Sequence, residues 1–91
     1  MDWFDLGELA FELLFEVVIP AALELLADNS DGVTEAVMLA HGFTIPQMVE
    51  LVRAGLATAT AERVVAGSRT IEVARVRITE AGRRALLASQ D

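Results

Sequence analysis

ATATAERVVAGSRTIEVARVRIT, residues 57–79, holds two β-prone runs divided by Gly67 and Ser68. Runs rich in Val, Ile and Thr around a short Gly-containing break predict a β-hairpin. Pairing Val65 with Thr70 across a four-residue loop sets the register. Ala57, Ala59 and Ala61 then share one face with Ile78, Val76 and Ala74, so that small residues oppose large ones. Thr58 and Thr60 fall on the other face with Arg77 and Arg75. Arg63 lies opposite Glu72, where a cross-strand ion pair is expected. Val64, Ile71 and Val73 stand beside the Arg face near the tip, which implies a twist or bulge, or a further apolar contact surface.

Upstream of the hairpin the spacing is helical. Thr34 is placed to cap a helix over TEAVMLAHG, with Gly42 at its C-terminal end. After the link Gly42-Phe43-Thr44, Thr44 caps a second helix, IPQMVELVRAGL, with Pro46 in its first turn. Met48, Val49, Leu51, Val52 and Leu56 are expected to face the core, and Gln47, Glu50 and Arg53 to face out. Two short helices on so tight a link make a helix-turn-helix. Further upstream, PAALELLADN (20–29) reads as a helix with Leu23, Leu26 and Ala27 inward, ended by Asn29, Ser30 and Gly32. Downstream, Thr79 caps a last helix, EAGRRALLASQ. Met38 and Met48 read as core filler.

Residues 2–18, DWFDLGELAFELLFEVV, form another helical pattern. Asp2, Asp5, Glu8, Glu12 and Glu16 make one polar stripe, and nearly everything else is apolar. The apolar arc is roughly 200°, about twice the ~100° a surface helix needs to cover one core. Phe4, Phe11 and Phe15 lie along one edge, and Leu6, Leu13 and Val17 along the other. Trp3, Ala10, Leu14 and Val18 lie between them. One edge is free to meet a second chain, and Trp3, Phe4, Phe11, Leu14, Phe15 and Val18 are the expected homodimer contacts. Pro20 should kink this helix or start the next one.

Ninety-one residues make one domain, 1–91, with one modest core. Charge is divided along the chain. Residues 1–50 carry ten acids and no base; residues 51–91 carry seven Arg against Glu62, Glu72, Glu80 and Asp91, or +3, for a net charge of −7. Such a net charge argues against a general nucleic-acid binder, while the Arg segregation argues for a local phosphate-contacting surface. All the bases are Arg, which suits either phosphate recognition or a GC-rich coding sequence.

The absence of Cys excludes disulfides and thiolate metal sites. DNSDG (28–32) lacks the closing Glu of a Ca²⁺ loop and reads as a turn. Glu8, Glu12 and Glu16 form a solvated stripe, His41 sits at a helix end, and Ser30, Ser68 and Ser89 lack a nucleophile setting. Arg83 and Arg84 suit phosphate or the acidic first helix. Neither an enzyme nor a cofactor is expected. The acidic N-terminus does not resemble a signal peptide, and Glu12, Glu16 and Glu24 interrupt every apolar stretch of spanning length, so a cytoplasmic protein without membrane contact is expected.

TEAVMLAHGFTIPQMVELVRAGL (34–56), LATATAERVVAGSRTIEVARVRIT (56–79) and ITEAGRRALL (78–87) together resemble the winged-helix family, especially small bacterial regulators of the MarR and PadR kind. The resemblance covers about residues 20–88. It implies a mainly α fold with a β-hairpin wing over 57–79, a winged helix-turn-helix; the amphipathic helix 2–18 read from the spacing precedes it, and residues 1–19 fall outside the resemblance. It also implies a transcriptional regulator that binds duplex DNA as a homodimer. The helix at 45–55 would enter a major groove, bringing Gln47, Glu50 and Arg53 to it, and Arg63, Arg69, Arg75 and Arg77 would contact phosphates or the minor groove. The sequence departs from that pattern in the presumed reading helix, which has one Arg, no Lys or Asn, and a Glu50 that repels phosphate. The alternative is a non-enzymatic interaction module, antitoxin- or adaptor-like, that uses the winged helix as a scaffold and binds a protein partner through residues 2–18.

Overall fold

The computed structural model describes residues 13–90; for Leu14 and Phe15 it describes the backbone alone. A π-helical turn, Leu14–Val18, leads into α1, Ile19–Ala27. Pro20 lies in the first turn of α1. Proline offers no N–H to the carbonyl four residues back and its ring crowds that carbonyl, so the ladder widens before it. Val18 keeps helical angles (φ −72°, ψ −46°), and the chain stays helical through the junction. Ile19, Ala22, Leu23 and Leu26 recur at helical spacing and are buried.

The end of α1 is fixed locally. Asn29 Nδ2 donates to the Leu25 carbonyl at 2.8 Å, and the Gly32 N–H donates to the Asn29 carbonyl at 2.8 Å. Gly32 has φ +96°, and a Cβ there would lie 2.8 Å from the Cγ atoms of both Arg75 and Arg77. Glycine is needed at this position twice over, for the left-handed backbone and for the close approach.

A short strand follows, β1, Val33–Thr34, and then α2, Glu35–Ala40, and α3, Ile45–Arg53. The Thr34 hydroxyl accepts from the Val37 N–H at 3.3 Å, and Gly42 takes φ +94° just past α2. Thr44 and Gln47 form a reciprocal capping box: Gln47 N–H donates to Thr44 Oγ1 at 3.3 Å, and Thr44 N–H donates to Gln47 Oε1 at 2.9 Å. The hairpin is β2, Ala57–Ala66, with β3, Arg69–Ile78, and α4 is Glu80–Ser89. The Thr79 hydroxyl caps α4 through the Gly82 N–H at 3.0 Å and donates to the Gly55 carbonyl at 2.7 Å.

The hairpin register is the one read from the sequence. Ala57 pairs with Ile78, Ala59 with Val76, Ala61 with Ala74 and Val65 with Thr70. One further pair, Ala66 with Arg69, closes the turn to Gly67-Ser68.

The fold differs from a mainly α chain with a two-stranded hairpin, because β1 pairs with the free edge of β3, Val33 opposite Val76 and Thr34 opposite Arg75. The described residues therefore form four α-helices and a three-stranded antiparallel sheet in the order β1-β3-β2. Two residues are too short for a period-two signal, and their partner lies more than forty positions away, so sequence patterning does not reveal β1. The core unites Ile19, Leu23 and Leu26 with Val33, Met38, Met48, Leu51, Ala57, Val76 and Leu86. Only the base of the hairpin reaches it; Val65, near the tip, is 75% exposed.

Candidate interaction groove and the hairpin arginines

Met48 and Leu51 anchor α3 in the core, as the helical spacing requires. Val49 and Val52, expected inward with them, are instead 46% and 39% exposed, and Ile45 is 44% exposed. These three positions form a second apolar stripe beside the buried one. Across from it, β2 and β3 present Ala59 and Ala74. Alanine is too short to fill the space between sheet and helix, and a groove of about 260 Å³ remains, floored by Met48 and Val76 and bounded by Glu35 and Arg53. Its size is below the roughly 300–1,000 Å³ of pockets that enclose small-molecule ligands. A shallower depression continues from Glu35 and Ala74 past Ala36 and Leu39, the latter 45% exposed.

The residues assigned to DNA do not form one surface. Gln47 is half-buried, and its carbonyl oxygen is committed to the capping box. The signal for this was present as Thr44-x-x-Gln47 ahead of an apolar run. Arg53 is exposed and pairs at 3.6 Å with Glu50, one turn back. In the hairpin, strand alternation separates the arginines. Arg63 shares a face with Ala57, Ala59 and Ala61, whereas Arg69, Arg75 and Arg77 belong to the opposite face.

Arg63 stands opposite Glu72 in the register, but the two form no ion pair; Glu62 is the carboxylate that gathers the arginines. Arg75 Nε donates to Glu62 Oε2 at 3.0 Å, and Arg77 Nη2 donates to Glu62 Oε1 at 3.2 Å. Arg77 Nη1 also donates to Thr60 Oγ1 at 3.1 Å, and Arg75 Nη1 to the Gly32 carbonyl at 3.4 Å. Glu62 lies on the Arg face, diagonal to Arg75, where a long side chain reaches its neighbour. Arg63, Arg69 and Arg83 are exposed and have no ion-pair partner among the described residues, while Arg84 pairs with Glu80 at 3.4 Å.

The Arg75 hydrogen bond, with that of Arg77 and the two positive charges, holds the Glu62 carboxyl below its ordinary range, against a smaller opposing effect of burial. A carboxyl depressed in the folded state adds stability above its unfolded pKa, and that stability is lost as pH falls through the folded value. Glu62→Gln is therefore expected to lower the thermal midpoint at neutral pH, with the gap to the parent protein closing on acidification below the ordinary Glu range. A gap independent of pH would assign the loss to packing rather than to charge.

Of the expected dimer contacts, Trp3, Phe4 and Phe11 lie outside the described residues, and Leu14 and Phe15 are described in backbone only. Val18 is half-buried. Leu13 and Val17, on one apolar edge, are 47% and 57% exposed. Among the described residues, the turn Leu14–Val18 packs mainly on α1.

Among the described residues, no helix is long and apolar enough to cross a membrane, and no group of three His, Cys, Asp or Glu is placed to hold a metal. No protein-family model, curated protein or solved structure matches the chain.

Proposed function

We propose that the chain is a winged-helix module that works by protein–protein association, with the groove beside α3 as its binding surface. The fold reading is supported by the order helix, short strand, two capped helices, hairpin, with β1 on the outer edge of β3. The functional reading is carried by one observation: a stripe of α3 made of Ile45, Val49 and Val52 is exposed, beside Arg53, which is paired with Glu50. A helix that reads bases must offer hydrogen-bond donors and acceptors to the major groove, and these side chains have none. They suit an apolar partner, and no catalytic step is assigned to the groove.

A second reading, a homodimeric DNA-binding regulator, is favoured by Arg63, Arg69 and Arg83, whose exposed guanidiniums have no acidic partner among the described residues. Fluorescence anisotropy on a random-sequence duplex, titrated with salt, separates the two. Association predicts no binding even at low salt. Binding that weakens steeply with salt, and whose slope flattens by about one to two units per chain in Arg63→Ala/Arg69→Ala, would move the function to phosphate contact by the hairpin.

A further inference from the structure

We infer that the free edge of β2 pairs antiparallel with the same edge of a second copy of this chain, about a two-fold axis at Ala61, so that the two sheets join into one. This surface is separate from the groove beside α3, and neither reading depends on the other.

β2 is the outer strand of the order β1-β3-β2, and its far side has no neighbouring strand among the described residues. The loop Gly67-Ser68, opened by Gly67 at φ +65°, makes Ala66 and Arg69 a hydrogen-bonded pair. Alternate residues then turn their backbone groups inward, down to Leu56, whose carbonyl accepts from the Thr79 N–H at 3.0 Å. Ala57, Ala59, Ala61, Arg63 and Val65 turn theirs outward. A long free edge is a template for another strand unless proline, lysine, a bulge or a covering element blunts it. Here the register runs from Ala57 to Ala66 without a bulge, the strand has no Pro or Lys, and Thr58 to Ala61 are exposed.

The strand is complementary to itself in one register. A two-fold axis through Glu62 or Arg63 sets like charges directly opposite each other, which destabilises the pair. An axis through Ala61 sets Ala59 opposite the partner's Arg63 and Thr60 opposite the partner's Glu62, and engages Ala57 through Val65 of each strand. No other symmetric register free of that repulsion engages as much of the edge. Glu62 keeps its own ion pairs with Arg75 and Arg77 in this arrangement.

The valines of the tip select a second copy over an unrelated strand. Val64 and Val65 are 42% and 75% exposed, at the end of the hairpin that has left its own core. In the register centred on Ala61 they come opposite the partner's Thr58 and the partner's Ala57, at the base of its hairpin, where the core begins. Each tip therefore runs along the other copy's base, and the symmetry repeats the contact. The pairing closes at two copies, because the other sheet edge, β1, is only Val33–Thr34 and offers no comparable template.

The chain has no Cys, so introduced thiols report the register. Directly opposed residues have Cα atoms about 4.5–5.5 Å apart, within disulfide reach. Ala61→Cys is expected to give a covalent dimer on mild oxidation, and so is an equimolar mixture of Thr58→Cys with Val64→Cys; all three positions are exposed. Thr58→Cys alone and Val64→Cys alone should not link, because their two copies lie about six residues, or roughly 20 Å, apart along the strands. Light scattering on dilution is expected to show a parent dimer. Ala61→Pro removes an outward N–H at a place where an edge strand tolerates Pro, and should weaken that dimer about tenfold or more. The thiol variants decide the matter if Ala61→Pro disturbs folding. A monomeric parent overturns the inference. So does a parent dimer in which no thiol links, or in which Thr58→Cys alone links as readily as Ala61→Cys, since either places the contact elsewhere.

Discussion

Leu26→Ala is expected to cost about 2–5 kcal/mol of folding stability, the range for removing a buried Leu side chain and leaving a partly collapsed cavity. Leu26 is 0% exposed and joins α1 to the sheet in the single core. A domain of ninety-one residues has only about 5–14 kcal/mol in total, so this substitution removes a large fraction of it. Urea unfolding followed by circular dichroism measures the loss as a lower midpoint at constant slope. A loss under about 1 kcal/mol, typical of surface positions, would mean that α1 does not dock as described.

Gly82→Ala tests a case where local and tertiary effects have opposite signs. Inside a helix, replacing Gly by Ala ordinarily gains about 0.8–1 kcal/mol through backbone entropy. Here Gly82 is buried in the first turn of α4, and a Cβ would overlap the Leu56 carbonyl oxygen and press on Ile78 Cγ1 at 2.8 Å. The obstructing atom is backbone, held by the Leu56 N–H bond to the Leu51 carbonyl and by the Thr79 N–H bond to Leu56's own carbonyl, both at 3.0 Å. It cannot swing aside as a side-chain end would. Overpacking of this kind costs about 1–3 kcal/mol, so the net effect is expected to be destabilising. Chemical denaturation of Gly82→Ala beside Ala81→Gly decides it. An increase in stability for Gly82→Ala would show that α4 shifts freely on the base of the hairpin.

Gly82 also shows where sequence reasoning stops. In ITEAGRRALL it looks like a mild flaw in a helix, because the Leu56 carbonyl that makes glycine necessary is twenty-six positions away. Val49 and Val52 illustrate the same limit. Helical spacing places them beside Met48 and Leu51, but whether one apolar stripe or two are covered depends on what faces the helix. Ala59 and Ala74 on the sheet leave the second stripe open. The register places Glu62 on the Arg face, but that it takes both Arg75 and Arg77 diagonally, while the directly opposed Arg63 and Glu72 stay apart, depends on side-chain reach that strand alternation does not carry.

The elements governed by local chemistry follow from the sequence by itself. Thr34, Thr44 and Thr79 each cap a helix because a short hydroxyl side chain satisfies an N–H three residues on. Pro20 resets the helical ladder because it lacks a donor, and the hairpin register follows from alternation about Gly67-Ser68. Tertiary structure alone decided the third strand, the partner of each hairpin arginine and the open groove beside α3. Each of these depends on two segments distant in sequence meeting at a particular separation, and neither segment's own pattern carries that distance.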